Sequence, residues 1–177
     1  MSLQPAKAVV WWRDIQPDPA RNRPGDRAAL ARLRHCATVA EAMQDQATIA
    51  LFRRCGGTGP WDLPAAGLAA AVLAHVREDD PANPRIARGI GPDSTDKPET
   101  ALLKPLRFRR LMEAATPDER LIAFRRLVAL AGGKLNIPDL AAALLRWDEE
   151  RQRRWVYDYW NAGQPTAAAP LVEEATP

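Results

Sequence analysis

A helix-start signal recurs along this chain, each time ahead of apolar residues at helical spacing, and a chain built that way folds as packed helices. The fullest instance is Thr116-Pro117-Asp118-Glu119. Thr at the N-cap can accept from the third amide, Pro at the first helical position gives up no needed donor, and Glu can reach back to the cap amide. Behind it run Leu121, Phe124, Leu127 and Val128, one apolar stripe. Asp26 stands ahead of Leu30, Leu33 and Ala37, and Thr38, Asp62, Asn136 and Asp148 occupy equivalent places. The pattern predicts helices over 6–15, 27–37, 39–43, 48–55, 63–77, 102–115, 117–131, 137–147 and 149–162. Pro17 and Pro19, then Gly56, Gly57 and Gly59, then Gly132-Gly133, and finally Gly163 supply the stops. The 63–77 segment is almost free of charge, which marks it as central.

Nothing competes with helix. Ala and Leu dominate the apolar residues, and no stretch alternates β-branched side chains, so no sheet is expected. Residues 78–100 change character: Glu78-Asp79-Asp80 is followed by Pro81, Pro84, Gly89, Gly91, Pro92 and Pro98, with few large apolar side chains. The acidic triplet reads as a solvated charge run. The expected fold class is all-α, two small helical bundles joined by a loop. The divisions are an N-terminal bundle over 1–77, a linker over 78–100, a C-terminal bundle over 101–163 and a disordered tail over 164–177.

Several function classes find no residues to support them. His35, Cys36, Cys55 and His75 are the whole histidine and cysteine inventory. They fit no zinc spacing, and the adjacent His35 and Cys36 project about 100° apart on a helix. Gly56-Gly57-Thr58-Gly59 and Gly132-Gly133-Lys134 lack the GxxxxGK[ST] pattern and read as helix stops. Most carboxylates sit at helix starts, so capping explains them, and no paired acids or histidine dyad points to catalysis. No enzyme activity, metal or cofactor is expected. Two cysteines make no disulfide framework, no apolar run approaches the ~20 residues needed to span a bilayer, and the first residues lack a signal-peptide pattern. A reducing cytoplasm is the expected compartment, with no membrane partner.

What remains is arginine. The formal net charge is only +3, but Lys7, Lys97, Lys104 and Lys134 are the only lysines among 25 basic residues, so 21 are arginine. The planar guanidinium suits phosphate and stacks on bases, although a GC-rich genome enriches arginine too. Between 104 and 126 lie seven basic residues, Lys104, Arg107, Arg109, Arg110, Arg120, Arg125 and Arg126, against three acids. Arg107 and Arg110, three apart, share a helix face; Arg125 and Arg126 flank the apolar stripe; Arg151, Arg153 and Arg154 follow on the last helix. Two readings stay open at this point: a phosphate-binding surface, or a solvated face with pairs such as Glu150 with Arg154.

The order of motifs resembles a known family. Leu106-Arg107-Phe108-Arg109-Arg110-Leu111-Met112, Ala123-Phe124-Arg125-Arg126-Leu127-Val128, Leu144-Leu145-Arg146-Trp147 and Arg151-Gln152-Arg153-Arg154-Trp155-Val156-Tyr157 are similar to the C-terminal half of the CasB family. That family is the small subunit of the type I-E CRISPR Cascade complex. Gly25-Asp26-Arg27-Ala28-Ala29-Leu30 and Leu51-Phe52-Arg53-Arg54 resemble its N-terminal half more loosely. Where the family has a double arginine after Leu30, this chain has Ala31 and then Arg32 and Arg34. The likeness runs in order over roughly residues 8 to 162.

The resemblance implies a non-catalytic helical subunit, present as a pair in Cascade and touching its backbone and large subunits. It implies contact with CRISPR RNA and target DNA, above all with the displaced single strand of the R-loop. Arg27, Arg32, Arg54, Arg88, Arg107, Arg110, Arg125, Arg126, Arg151 and Arg154 are the candidate nucleic-acid contacts. The competing expectation is a helical adaptor that binds protein alone, its arginines spent in salt bridges. Trp147 and Trp155 are expected in the core, not as base-stacking platforms.

Overall fold

A computed structural model describes residues 3–164. Its helices, in chain order, are α1 (Pro5–Ile15), α2 (Arg27–His35), α3 (Val39–Met43), α4 (Gln46–Arg54) and α5 (Leu63–Leu73), then α6 (Ile86–Ile90), α7 (Pro105–Glu113), α8 (Pro117–Leu130), α9 (Ile137–Leu145) and α10 (Glu149–Tyr159). The fold is all-α. The tail expected over 164–177 lies, from 165 onward, outside the described residues.

Helix α5 organises the rest. Every residue from Ala66 to Leu73 is buried, because α3, α4, α8 and α9 pack around it. Its alanines let those neighbours approach closely, and its uniform apolarity needs cover on all sides. Helix α1 crosses α4 and α9, burying Ala8, Trp11, Trp12 and Ile15. The buried side chains of both halves of the sequence form one cluster. Within it Phe124, Trp147 and Trp155 meet edge to face, with ring centroids 5.3–5.8 Å apart. Phe108 stacks on Tyr159 at 3.8 Å, and the Tyr159 hydroxyl donates to the Leu103 carbonyl at 2.6 Å.

Most caps stand where the sequence places them. Asp26, Thr38, Asn136 and Asp148 each accept from the amide three residues on, and Thr116 with Glu119 closes a full capping box. Asp62 differs. It ends a short 3-10 turn over Pro60–Asp62 and makes no cap bond, so Pro64 in the first turn opens α5. Helix α4 starts at Gln46, not at Thr48, because Asp45 accepts from the Ala47 amide and Thr48 lies buried inside the helix. The long helix expected over 63–77 stops at Leu73. Carbonyls beyond that point serve side chains instead: Ala74 receives Arg34, and Val76 receives Trp12 and Gln16. At the end of α10 Asn161, φ +50°, takes the left-handed position expected of Gly163.

The segment 78–100 carries structure its composition conceals. Glu78–Asp79 and Lys134–Leu135 form a two-stranded parallel ladder, too short to leave a period-two pattern in the sequence. Helix α6 buries Ile86, Ala87 and Ile90 against α10. Its start is capped from 53 residues away, where the Asp139 carboxylate accepts from the Ile86 amide at 2.9 Å. Arg85 pairs with the nearly buried Asp158 at 2.7 Å. Just past α6, a Cβ on Gly91 would collide with the Tyr159 carbonyl, so only glycine lets the two backbones touch.

Trp155 is 2% exposed at the centre of the aromatic trio. Trp155→Ala should lower stability by about 3–5 kcal/mol, as aromatic deletions in cores do, read from chemical denaturation midpoints.

Candidate nucleic-acid interface

Burial of one face of each helix dictates where the arginines can go. On α7, Phe108 and Leu111 point into the core, three residues apart, and this turns Arg107 and Arg110 outward together. On α8 the buried stripe of Leu121, Phe124, Leu127 and Val128 leaves Arg126 exposed on its flank. The three side chains meet at a groove of about 550 Å³ between α7 and α8, over an apolar floor that includes Leu103, Leu111 and Leu130. Among the described residues no carboxylate lies within 4.0 Å of any of the three guanidinium groups. Such a groove presents charge to a phosphate backbone and an apolar bed to a sugar or base.

Arg125, one residue along, is placed quite differently. Its Nη1 donates to the Cys36 carbonyl at 2.6 Å and its Nη2 to the Leu33 carbonyl at 2.8 Å, with a longer 3.4 Å contact to Ala71. Leu33 and Cys36 are carbonyls at the C-terminal end of α2, which has no further turn to satisfy them. The guanidinium is therefore an internal cap that ties α8 to α2 and α5. Burial pushes its pKa down from the ordinary arginine value. The sequence pattern of Arg125 and Arg126 is the same, and only packing distinguishes them.

The remaining candidates divide in the same way. Arg32 forks onto Asp45 at 2.7 and 3.3 Å, Arg54 pairs with Asp14 at 3.1 Å, and Arg88 donates to the Pro92 carbonyl at 3.0 Å. Arg151 is half-buried at the start of α10, its Nε enclosed without a hydrogen-bond partner among the described residues. Arg154 is exposed, and the pair with Glu150 does not form. Arg27 stands apart from the α7–α8 groove. It lines a second cavity of about 440 Å³ with Arg34, which follows Arg32 where the family has its double arginine, and with Arg77, which no sequence signal singled out. Arg27 and Arg34 are seven residues apart, two helical turns, so their common face was legible; Arg77 lies beyond the end of α5 and gave no periodic signal.

His75, half-buried at the end of α5, completes this region. Burial, and then the positive charges of Arg125, Arg34 and Arg77, depress its pKa from 6.5 to about 4. Cys55 is buried, which pushes its thiol up to about 11, outside the range of a reactive thiolate at neutral pH.

Two outcomes follow from these placements. Arg125→Ala should cost about 2–3 kcal/mol by stranding the α2 carbonyls, whereas Arg126→Ala should stay within about 0.5 kcal/mol of wild type in the same denaturation assay. For His75 the unfolded chain binds a proton near 6.5 and the folded chain only near 4. This contribution to stability is full above 6.5 and is lost as pH falls toward 4, and His75→Gln should flatten that part of a melting-temperature profile against pH.

No curated protein and no solved structure matches the chain. The family model for CRISPR-associated protein Cse2 matches residues 28–160, from the start of α2 through the end of α10. The α7–α8 groove, Arg34, Arg77 and Arg125 all lie inside that span, and the chain belongs to the Cse2 family, the small subunits of the type I-E CRISPR Cascade complex.

Proposed function

We propose that this Cse2-family chain grips a nucleic-acid backbone through the α7–α8 groove, and that within Cascade the strand it holds is the displaced DNA strand of the R-loop. The observation that carries this reading is the convergence of Arg107, Arg110 and Arg126 on one groove with no carboxylate among the described residues to neutralise them. Three unpaired guanidinium groups over an apolar floor repel one another until an anion enters. A grip on phosphates carries no base readout and is indifferent to sequence, as a strand selected by guide pairing requires. R-loop formation exchanges one duplex for another of similar stability, so a few phosphate contacts are enough to tip it. The role needs no chemistry, and the chain acts by binding alone, beside other Cascade subunits in the cytoplasm.

A specific observation favours the protein-adaptor reading as the second choice. Arg32, Arg54, Arg88 and Arg125 all spend donors inside the fold, so the number of arginines overstates the cationic surface. Binding across a salt series decides between the two. Replacing Arg107, Arg110 and Arg126 by Gln should reduce the salt slope for single-stranded DNA by about one unit for each phosphate no longer neutralised, alike for all sequences, with the circular dichroism spectrum retained. Target-duplex binding by the reconstituted complex should weaken in parallel. An unchanged slope with the variant subunit still incorporated would give first place to the adaptor.

A further inference from the structure

The second cavity has no part in the α7–α8 groove. It lies where α1, α2 and the chain leaving α5 meet, and Arg27, Arg34 and Arg77 surround it beside Gln16, Pro17 and Leu30. Three features make it more than a chance gathering of surface charge. Arg34 is held in place: its Nε donates to the Ala74 carbonyl at 2.7 Å, which leaves the terminal nitrogens free to face the cavity. Arg77 is anchored through both its backbone and its stem. Its amide donates to the Gly133 carbonyl at 2.8 Å, and its side chain lies over Gly133, where an added Cβ would rest 3.6–3.7 Å from it. Finally, none of the three guanidinium groups has a carboxylate within 4.0 Å among the described residues.

Fixed like charges without a counter-charge cost free energy in the empty protein. Burial, and then the charge of Arg77, lower the pKa of Arg34; burial, and then the charges of Arg125, Arg34 and Arg77, lower that of His75. An anion in the cavity relieves this repulsion, and guanidinium forks match the oxygens of a phosphate group better than a single-point anion. Pro17 and Leu30 add an apolar wall suited to the face of a sugar attached to that phosphate.

We propose that Arg27, Arg34 and Arg77 form a second phosphate-binding site, which takes a backbone phosphate of a nucleic-acid segment separate from the one on the α7–α8 groove. The site stands on its own residues and adds a second grip to the proposed reading without depending on the first. The two grips are rigidly spaced. Arg126 lines one groove, while its neighbour Arg125 binds the Leu33 carbonyl on α2, the helix that carries Arg27 and Arg34 of the other.

His75 makes the site observable. A phosphate beside Arg34 and Arg77 offsets the positive charge that depresses the imidazole, so its pKa rises on binding. The experiment follows the His75 ring proton by NMR across pH, with the full chain alone, with inorganic phosphate, and with a short single-stranded oligothymidylate. His35→Gln distinguishes the two histidines. The expected result is an upward shift of about half a unit or more with either ligand. Arg27→Gln with Arg77→Gln should abolish the shift and lower the oligonucleotide salt slope by about two units. Arg107→Gln with Arg110→Gln should leave the shift intact, whatever it does to affinity. If the Arg27 and Arg77 double variant melts early, Arg27→Gln alone serves, since Arg27 is exposed and makes no side-chain bond within the described fold. An unmoved His75 at saturating ligand overturns the site, as does a shift that survives removal of the Arg27 and Arg77 charges. A shift with inorganic phosphate but none with the oligonucleotide overturns the backbone assignment. Failure of oligonucleotide binding on changing the α7–α8 arginines bears only on the first groove.

Discussion

A charged side chain inside the protein does what an apolar one could not. Arg125 reaches from α8 to the carbonyls of Leu33 and Cys36 at the end of α2, and to Ala71 on α5. Helix α2 has only nine residues and then turns away, so its last carbonyls would otherwise face α8 without donors. A guanidinium with five donors in one plane can satisfy several at once and keep its charge. Because the Arg125 side chain is directed inward, the next residue, Arg126, is rotated onto the flank of the helix. The internal cap and the outward groove are therefore two consequences of one helical rotation.

The same arrangement explains which parts of the molecule could be read from the chain alone. Local chemistry was legible: Thr116 with Glu119, Asp26, Asn136 and Asp148 each act on amides three residues away, and each stands where its helix begins. Long-range chemistry was not. The Asp139 carboxylate caps α6 across 53 residues, Asp79 caps the start of α9 across 58, and Arg125 caps α2 across 92. No window of sequence contains both partners of such a bond. Helix α5 shows the converse case, a segment whose uniform apolarity announced its central place but whose end was set by side chains from α1 and α2.

For the candidate interface the limit was sharper. Arg107, Arg110 and Arg126 share a groove, and helical spacing around Phe108, Leu111 and Leu127 indicates as much. Arg32, Arg54 and Arg88 carry the same residue type and sit on comparable amphipathic segments, yet each has an internal acceptor. Whether an arginine is free depends on whether a carboxylate or carbonyl from another element happens to lie within reach. Residue identity and period do not contain that information. Arg77 was missed for the matching reason: it belongs to no helix, and its amide bond to the Gly133 carbonyl, beside the short β pairing of Glu78 and Asp79 with Lys134 and Leu135, brings it over Gly133.

A net charge of +3 is small for a protein proposed to hold a polyanion, and the distribution resolves the difficulty. Asp45, Asp14 and Asp158 pair with Arg32, Arg54 and Arg85, and among the described residues no carboxylate lies within 4.0 Å of Arg107, Arg110 or Arg126. These three arginines concentrate positive charge at the groove while the overall charge is nearly balanced. At physiological ionic strength that field is screened over about 8 Å. A strand is then attracted only when it already lies close to the groove. For a subunit in a larger assembly this is an advantage, because a protein with a uniformly basic surface would bind any passing nucleic acid. A locally basic one holds a strand that another component has already delivered. On the proposed function the weak overall charge and the concentrated arginines serve one end: attraction is confined to the groove where a strand is to lie.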